Sequence, residues 1–238
     1  MGESPTALVT GASSGIGYAV CQRLLELGYQ TIGVARDFTK LPDDGGAFHR
    51  GEIDLSKLDE LPAHLDALTT RYPDVDAIIF CAGAGRFGSL EEFSYTQIKS
   101  LVNLNLTSQI YVARAFLPIM KRRRRGDLIF IGSEAGLTGG RRGAVYSATK
   151  FALRGLAQSL RDECAASRVR VSIINPGMVK TAFFDDLDFG PGESEDNYIE
   201  PCDVAAAVES ILVLRSSTVI DEINLSPLKK VIRAKQRT

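Results

Sequence analysis

Histidine is scarce in this chain of 238 residues: His49 and His64 are the only two, and neither sits in a cluster with metal-ligand spacing. No metal site is expected from such a pattern. The four cysteines, Cys21, Cys81, Cys164 and Cys202, are scattered and form no CxxC pair, so they read as reduced thiols of a cytosolic protein and not as a disulfide frame. Charge of one sign is also lacking. A net charge of −1 gives no general attraction to nucleic acid or to an acidic membrane. No uninterrupted apolar run approaches the ~18 residues of a membrane span. The opening stretch MGESPTALVTG enters a strand-like segment with no charged-then-apolar leader, and a soluble, cytoplasmic protein is expected. The one dense charge block, KRRRR at 121–125, falls at a helix C-terminus, where cations complement the macrodipole; it reads as a solvated helix end. Internal repeats, low-complexity tracts and linker-like breaks are absent too, which makes 1–238 a single domain.

What is present is alternation. Short apolar runs at 6–11, 30–36, 76–83, 127–133, 168–177 and 219–226, with a further strand unit at 47–56, are separated by longer helical patterns. The helices are expected over 15–28, over 57–72 with Asp54 or Ser56 as a cap, over 96–125 in one piece, around Tyr146, and over 201–215. Near-continuous apolar strands with helical crossovers imply a parallel sheet covered on both faces. The expected fold class is therefore α/β: a doubly wound, Rossmann-type sheet of about seven mostly parallel strands.

The link from the first strand to the first helix is TGASSGIG, with Gly11, Gly15 and Gly17 spaced G-x3-G-x-G. Glycines there permit a tight turn and close approach of a pyrophosphate, and the helix N-terminus adds unpaired N–H groups and a positive dipole end. Ser13 and Ser14 add hydroxyl donors, and Ile16 completes the loop. The second strand ends in Arg36, whose guanidinium fork suits a 2′-phosphate; this favours NADP, with NAD as the other candidate. Asp37 follows, and either pairs with Arg36 or repels the phosphate.

A second constellation is YSATK at 146–150. On a helix, Tyr146 and Lys150 lie one turn apart on one face, so a phenol and an ammonium can reach a common point. Alone, such a pair is an ordinary surface contact, and Ser133, thirteen positions earlier, can be a simple helix cap. Together with the glycine loop, in this order, they form a specific combination. TGASSGIG, IGS ending the fifth strand and YSATK resemble the short-chain dehydrogenase/reductase family over almost the whole chain. Asp54, Cys81-Ala82-Gly83, Asn105 and NPGMVKT at 175–181 are further matches.

The resemblance implies a role for each matching position. Tyr146 corresponds to a general acid/base, Ser133 to the group that polarises the substrate oxygen, and Lys150 to the lysine that holds the nicotinamide ribose and acidifies the phenol. Asn105 corresponds to an asparagine supporting a water relay, Asp54 with Leu55 to an adenine contact, and Pro176, Gly177, Val179 and Thr181 to the border of the nicotinamide. Cys81 departs from the asparagine usual there, and some loss of local rigidity is expected. The implied activity is interconversion of an alcohol and a carbonyl, in a homodimer or homotetramer, without a nucleic-acid or membrane partner. A non-catalytic dinucleotide sensor or scaffold is the alternative. The aperiodic segment at 182–200 reads as a substrate lid. Arg141 and Arg142 suggest a carboxylate on the substrate, hence a small hydroxy acid, with other small carbonyl compounds open.

Overall fold

The computed structural model describes residues 4–39 and 47–235; the first three residues of the N-terminal stretch and both ends of the 1–238 span lie outside it. Seven strands form one parallel sheet: β1 Thr6–Thr10, β2 Gln30–Ala35, β3 Phe48–Glu52, β4 Val75–Phe80, β5 Gly126–Ile131, β6 Val169–Pro176 and β8 Glu222–Leu225. Their spatial order is β3-β2-β1-β4-β5-β6-β8. The chain therefore winds outward one way from β1 and then the other way from β4. The reversal between these two neighbours opens a crevice at their C-terminal ends, the place where doubly wound sheets bind ligands.

The strand sequences explain why both faces are covered. Along β4, Ala77 and Ile79 point to one face and Ile78 and Phe80 to the other, and all four are buried. Helices α1 Gly15–Glu26 and α6 Pro201–Leu212 close the first face through Val20, Leu24, Val204 and Val208. The second face is closed by α2 Leu61–Arg71, α4 Ser108–Arg123 and α5 Ala144–Ala165, with Phe80 and Phe130 stacked at 4.2 Å between ring centroids. Burying each such side chain stabilises the fold by roughly 1.5–3 kcal/mol.

The 96–125 helix is a composite. Helix α3 Tyr95–Val102, capped by Ser94 accepting from the Gln97 N–H at 3.2 Å, passes through a π-helical turn at Asn103–Thr107 into α4. The polar residues Asn103 and Asn105 fall in that turn, and a π-turn re-aims side chains that a regular helix would place elsewhere. The KRRRR block ends α4: Arg124 adopts the left-handed conformation with φ 52°, and Arg123 bonds the Val75 carbonyl and the Asp76 carboxylate, both at 2.9 Å. Two of its other members, Arg122 and Arg124, remain at the solvated end.

Three boundaries differ from the sequence reading. Helix α2 begins at Leu61 with Glu60 as its cap; Asp54 instead accepts from the Ser56 N–H (3.0 Å) and hydroxyl (2.7 Å), which fixes the loop after β3. The last sheet strand is shorter than 219–226, because only Glu222–Leu225 reaches β6. The 182–200 segment, read as aperiodic, contains the strand β7 Phe189–Pro191, which pairs antiparallel with β9 Ile232–Ala234. A three-residue strand is too short to show a period, and its partner lies about forty residues away in sequence.

Candidate active site

At the crevice, the chain reversal is built by glycine. A Cβ on Gly11 (φ +68°) would lie 2.9 Å from the Ala82 Cα, and one on Gly17 would overlap the Gly11 carbonyl. These two positions let the β1–α1 loop lie directly on the end of β4 and let α1 start close beneath it. Gly15 (φ +53°) turns the chain in the left-handed region. Ser14 caps α1 without spending its hydroxyl on the helix, so the first N–H groups of α1 face the cleft. The loop after β4 is fixed from three sides: the Ala82 N–H donates to Thr10 Oγ1 (3.1 Å), Gln109 Nε2 donates to the Ala82 carbonyl (2.8 Å), and Asn105 grips Ala84. The rigidity that an amide at Cys81 would supply thus comes from its neighbours. Desolvation drives the Cys81 thiol far above its ordinary range, which keeps it in the neutral form.

A continuous cleft of about 1230 Å³ follows from this construction. Of the site residues expected from the sequence, all but Asn105 line it: Arg36, Asp54 and Leu55 at one end, the glycine loop and Cys81-Ala82-Gly83 in the middle, and Ser133, Tyr146, Lys150 and the 176–181 segment at the other. At the Arg36 end, Asp37 turns to Thr39, accepting from its hydroxyl at 3.0 Å, and does not pair with the arginine.

At the far end, α5 presents Tyr146 and Lys150 one turn apart, both more than nine-tenths buried. Ser133 lies close enough to the phenol to lower its proton affinity, and it caps a short turn by accepting from the Ala135 N–H (3.1 Å). Lys150 Nζ donates to the Ile131 carbonyl at 2.9 Å and lies 5.8 Å from the Tyr146 ring centroid. Burial dominates the proton affinities of both groups. It pushes the phenol up to about 12 against the lowering influence of Ser133, and pushes the lysine down to about 8. The Lys150 ammonium donates to a backbone carbonyl, and among the chain's own groups burial is the dominant influence on the phenol. At neutral pH the phenol is a proton donor.

Asn105 is buried behind the cleft wall and fully hydrogen-bonded. Its carbonyl accepts from the Ala84 N–H (2.8 Å), and its amide donates to the Ala84 carbonyl (2.9 Å) and Thr149 Oγ1 (3.3 Å). The side chain is spent on joining the β4 loop to α5, so its part is to position that loop beside Lys150.

Arg142 is occupied as well. It engages Asp188 at 3.4 Å and Glu92 at 3.9 Å, while Arg141 lies exposed on the rim. The sequence reading missed Phe87, Phe189, Ile232 and Ala234, all of which line the cleft. Phe87 and Phe189 each precede a glycine, which is a faint local signal; Ile232 and Ala234 reach the cleft only through the β7–β9 pairing and have none.

A doubly wound sheet, a glycine turn opening the first helix at the strand reversal, and a buried Ser–Tyr–Lys group at the other end of one cleft define a dinucleotide-binding oxidoreductase. The chain belongs to the short-chain dehydrogenase family, whose model matches residues 5–189. It is 30% identical over 227 residues to an uncharacterised oxidoreductase of Staphylococcus aureus, covering 93% of this chain and 96% of that one. An alcohol dehydrogenase of the archaeon Thermococcus sibiricus, solved with 5-hydroxy-NADP, is similar in structure with a TM-score of 0.85 and 28% identity, over 96% of this chain and 99% of that one. A metagenomic short-chain oxidoreductase solved with NADP has a TM-score of 0.80 and 31% identity, over 95% and 98% of the two chains. No described helix is long and apolar enough to cross a membrane, and no group of three or more His, Cys, Asp or Glu among the described residues is arranged to hold a metal.

Proposed function

We propose that this protein interconverts an alcohol and a carbonyl compound with NADP(H), using Tyr146 as the general acid/base. The observation that carries the reading is the buried Tyr146, beside Ser133 and one turn from Lys150, at the end of the cleft opposite the phosphate-type loop. NADP is supported by Arg36 lining the other end with Asp37 turned away, and by the NADP-containing structures to which this chain is similar. The N-terminus of α1 with Gly11–Gly17 would hold the pyrophosphate, Asp54 and Leu55 would border the adenine, and Pro176, Gly177, Val179 and Thr181 the nicotinamide.

The bound cofactor supplies or accepts the hydride at the carbonyl carbon. In reduction, Ser133 orients the carbonyl oxygen and Tyr146 gives it the phenol proton, so the former π pair becomes the new O–H bond. The phenolate then regains a proton from solvent. Lys150, whose proton affinity burial has already lowered, sits close enough to stabilise that phenolate transiently. Oxidation runs the same transfers backwards.

In the same reading residues 1–238 act as one catalytic domain, with 182–200 as its lid. The apolar groove of Ile110, Leu117, Leu156 and Leu160 on α4 and α5 suits a symmetric contact between copies. Four free cysteines accord with a reducing, cytoplasmic location.

The test is a panel of carbonyl compounds and alcohols followed through NADPH and NADH absorbance. Tyr146→Phe is expected to lose turnover by about 10²–10⁴-fold while binding NADPH as before. Tight NADPH binding with no turnover of any compound would replace this reading with a non-catalytic dinucleotide sensor.

A further inference from the structure

Around Tyr146 the apolar side chains form a cluster separate from the two cores that cover the sheet: Leu101, Val145 and the Tyr146 ring are buried, and Phe87 and Phe183 pack on them. The rings are linked. Phe87 is 5.1 Å from Tyr146 and 5.0 Å from Phe189 between centroids, and Phe183 is 6.0 Å from Tyr146. Phe87, Phe183 and Phe189 are only half-buried and all line the cleft, so each keeps part of its surface facing the space beside the phenol. The charges at this end are largely matched at the rim, where Arg142 meets Asp188 and Glu92, and Lys230 meets Glu134 at 2.8 Å. The backbone is cut to fit the arrangement: a Cβ on Gly85 would overlap the Phe183 ring, so this glycine is the seat of that ring.

We propose that the substrate is an uncharged carbonyl compound with a planar or ring-shaped apolar body, held against Phe87, Phe183 and Phe189 with its oxygen toward Ser133 and Tyr146. The proposal rests on the oxidoreductase reading and specifies its substrate class. A carboxylate in this position would lose its hydration to aromatic faces and find Arg142 already paired, with Arg141 exposed on the rim as the one other arginine of this loop, whereas an aromatic or alicyclic body gains ring contacts and loses nothing polar. Phe87 and Phe183 are thereby specificity-determining residues.

The experiment separates substrate binding from turnover. The complex with NADP+, which cannot reduce a ketone, is titrated calorimetrically with acetophenone, cyclohexanone and pyruvate. Acetophenone is expected to bind at least tenfold more tightly than pyruvate, and Phe87→Ala and Phe183→Ala each to weaken it by about three- to tenfold, with NADP+ affinity unchanged. Phe87→Leu and Phe183→Leu, which keep apolar bulk without a ring, are expected to show most of the same loss, and a melting curve of each variant establishes that it is folded. Pyruvate binding as tightly as acetophenone, no binding of either ring ketone, or folded phenylalanine variants that bind acetophenone like the wild type would each overturn the proposal. Absorbance assays with NADPH distinguish the two levels: turnover confined to oxo acids removes the aromatic substrate class and leaves the oxidoreductase reading standing, and no turnover of any carbonyl removes that reading itself.

Discussion

Lys150 carries its charge where burial penalises it, which gives it a pH signature. Its proton affinity is lowered from 10.5 to about 8, so the folded chain binds fewer protons than the unfolded chain between those values. The penalty is complete below about pH 8 and fades as pH rises toward 10.5, and the lysine's contribution to stability increases across that window. In Lys150→Met the wild-type-minus-variant difference in unfolding free energy is expected to rise between pH 8 and 10.5, as measured by denaturant titration. Turnover of the same variant should fall by about 100-fold. Asn105 is the opposite kind of residue, neutral and fully bonded. Asn105→Ala strands the N–H and the carbonyl of Ala84, at about 1–3 kcal/mol for each group that stays dry, and urea unfolding should register a loss of about 2–4 kcal/mol.

Among the elements, helices α1 and α5 both contain glycines, with contrary consequences. Gly155 lies on the exposed face of α5 with nothing within 4 Å of a built Cβ, so its only effect is entropic. Gly155→Ala is expected to stabilise the protein by about 0.5–1 kcal/mol in chemical denaturation. Gly17 in α1 has the Gly11 carbonyl where a Cβ would go, and backbone cannot swing aside as a side chain can. Gly17→Ala should lower the melting temperature and weaken NADPH binding by at least tenfold in a fluorescence titration, because the loop and the helix N-terminus must separate. The sequence places Gly17 in the TGASSGIG turn but not the contact that forbids a Cβ there; that contact is made by what α1 packs against.

For the molecule as a whole, the C-terminal segment is a strap across residues 182–200. Lys229 bonds Asp196 at 2.7 Å, the Asn197 amide donates to the Lys229 carbonyl at 3.2 Å, Arg233 pairs with Glu193, and β9 completes the ribbon with β7. These ion pairs are exposed and individually weak, so most of the hold comes from the ribbon and the backbone bonds. Deleting residues 229–238 should expose 182–200 to limited proteolysis and raise KM for the carbonyl substrate, with dinucleotide affinity little changed. Protease resistance equal to that of the full chain would show that this segment holds itself.

Local chemistry made much of this legible before any tertiary contact was known. Strand and helix alternation foretold the parallel sheet, and the TGASSGIG turn and YSATK spacing located both ends of the cleft, because glycine freedom and helical periodicity act over a few residues. The same range limits explain the misses. Asp54 suits a helix cap in the sequence, yet Ser56 takes its carboxylate; and nothing local shows that the Asn105 side chain reaches Ala84 across 21 positions or that burial raises the phenol to about 12. Residue order determined which groups line the cleft. Only the packed structure decided how deeply they are desolvated, which partners occupy their hydrogen bonds, and that distant segments at Phe87, Phe183 and Phe189 meet around Tyr146, because burial and long-range contact arise from the folding of the entire chain.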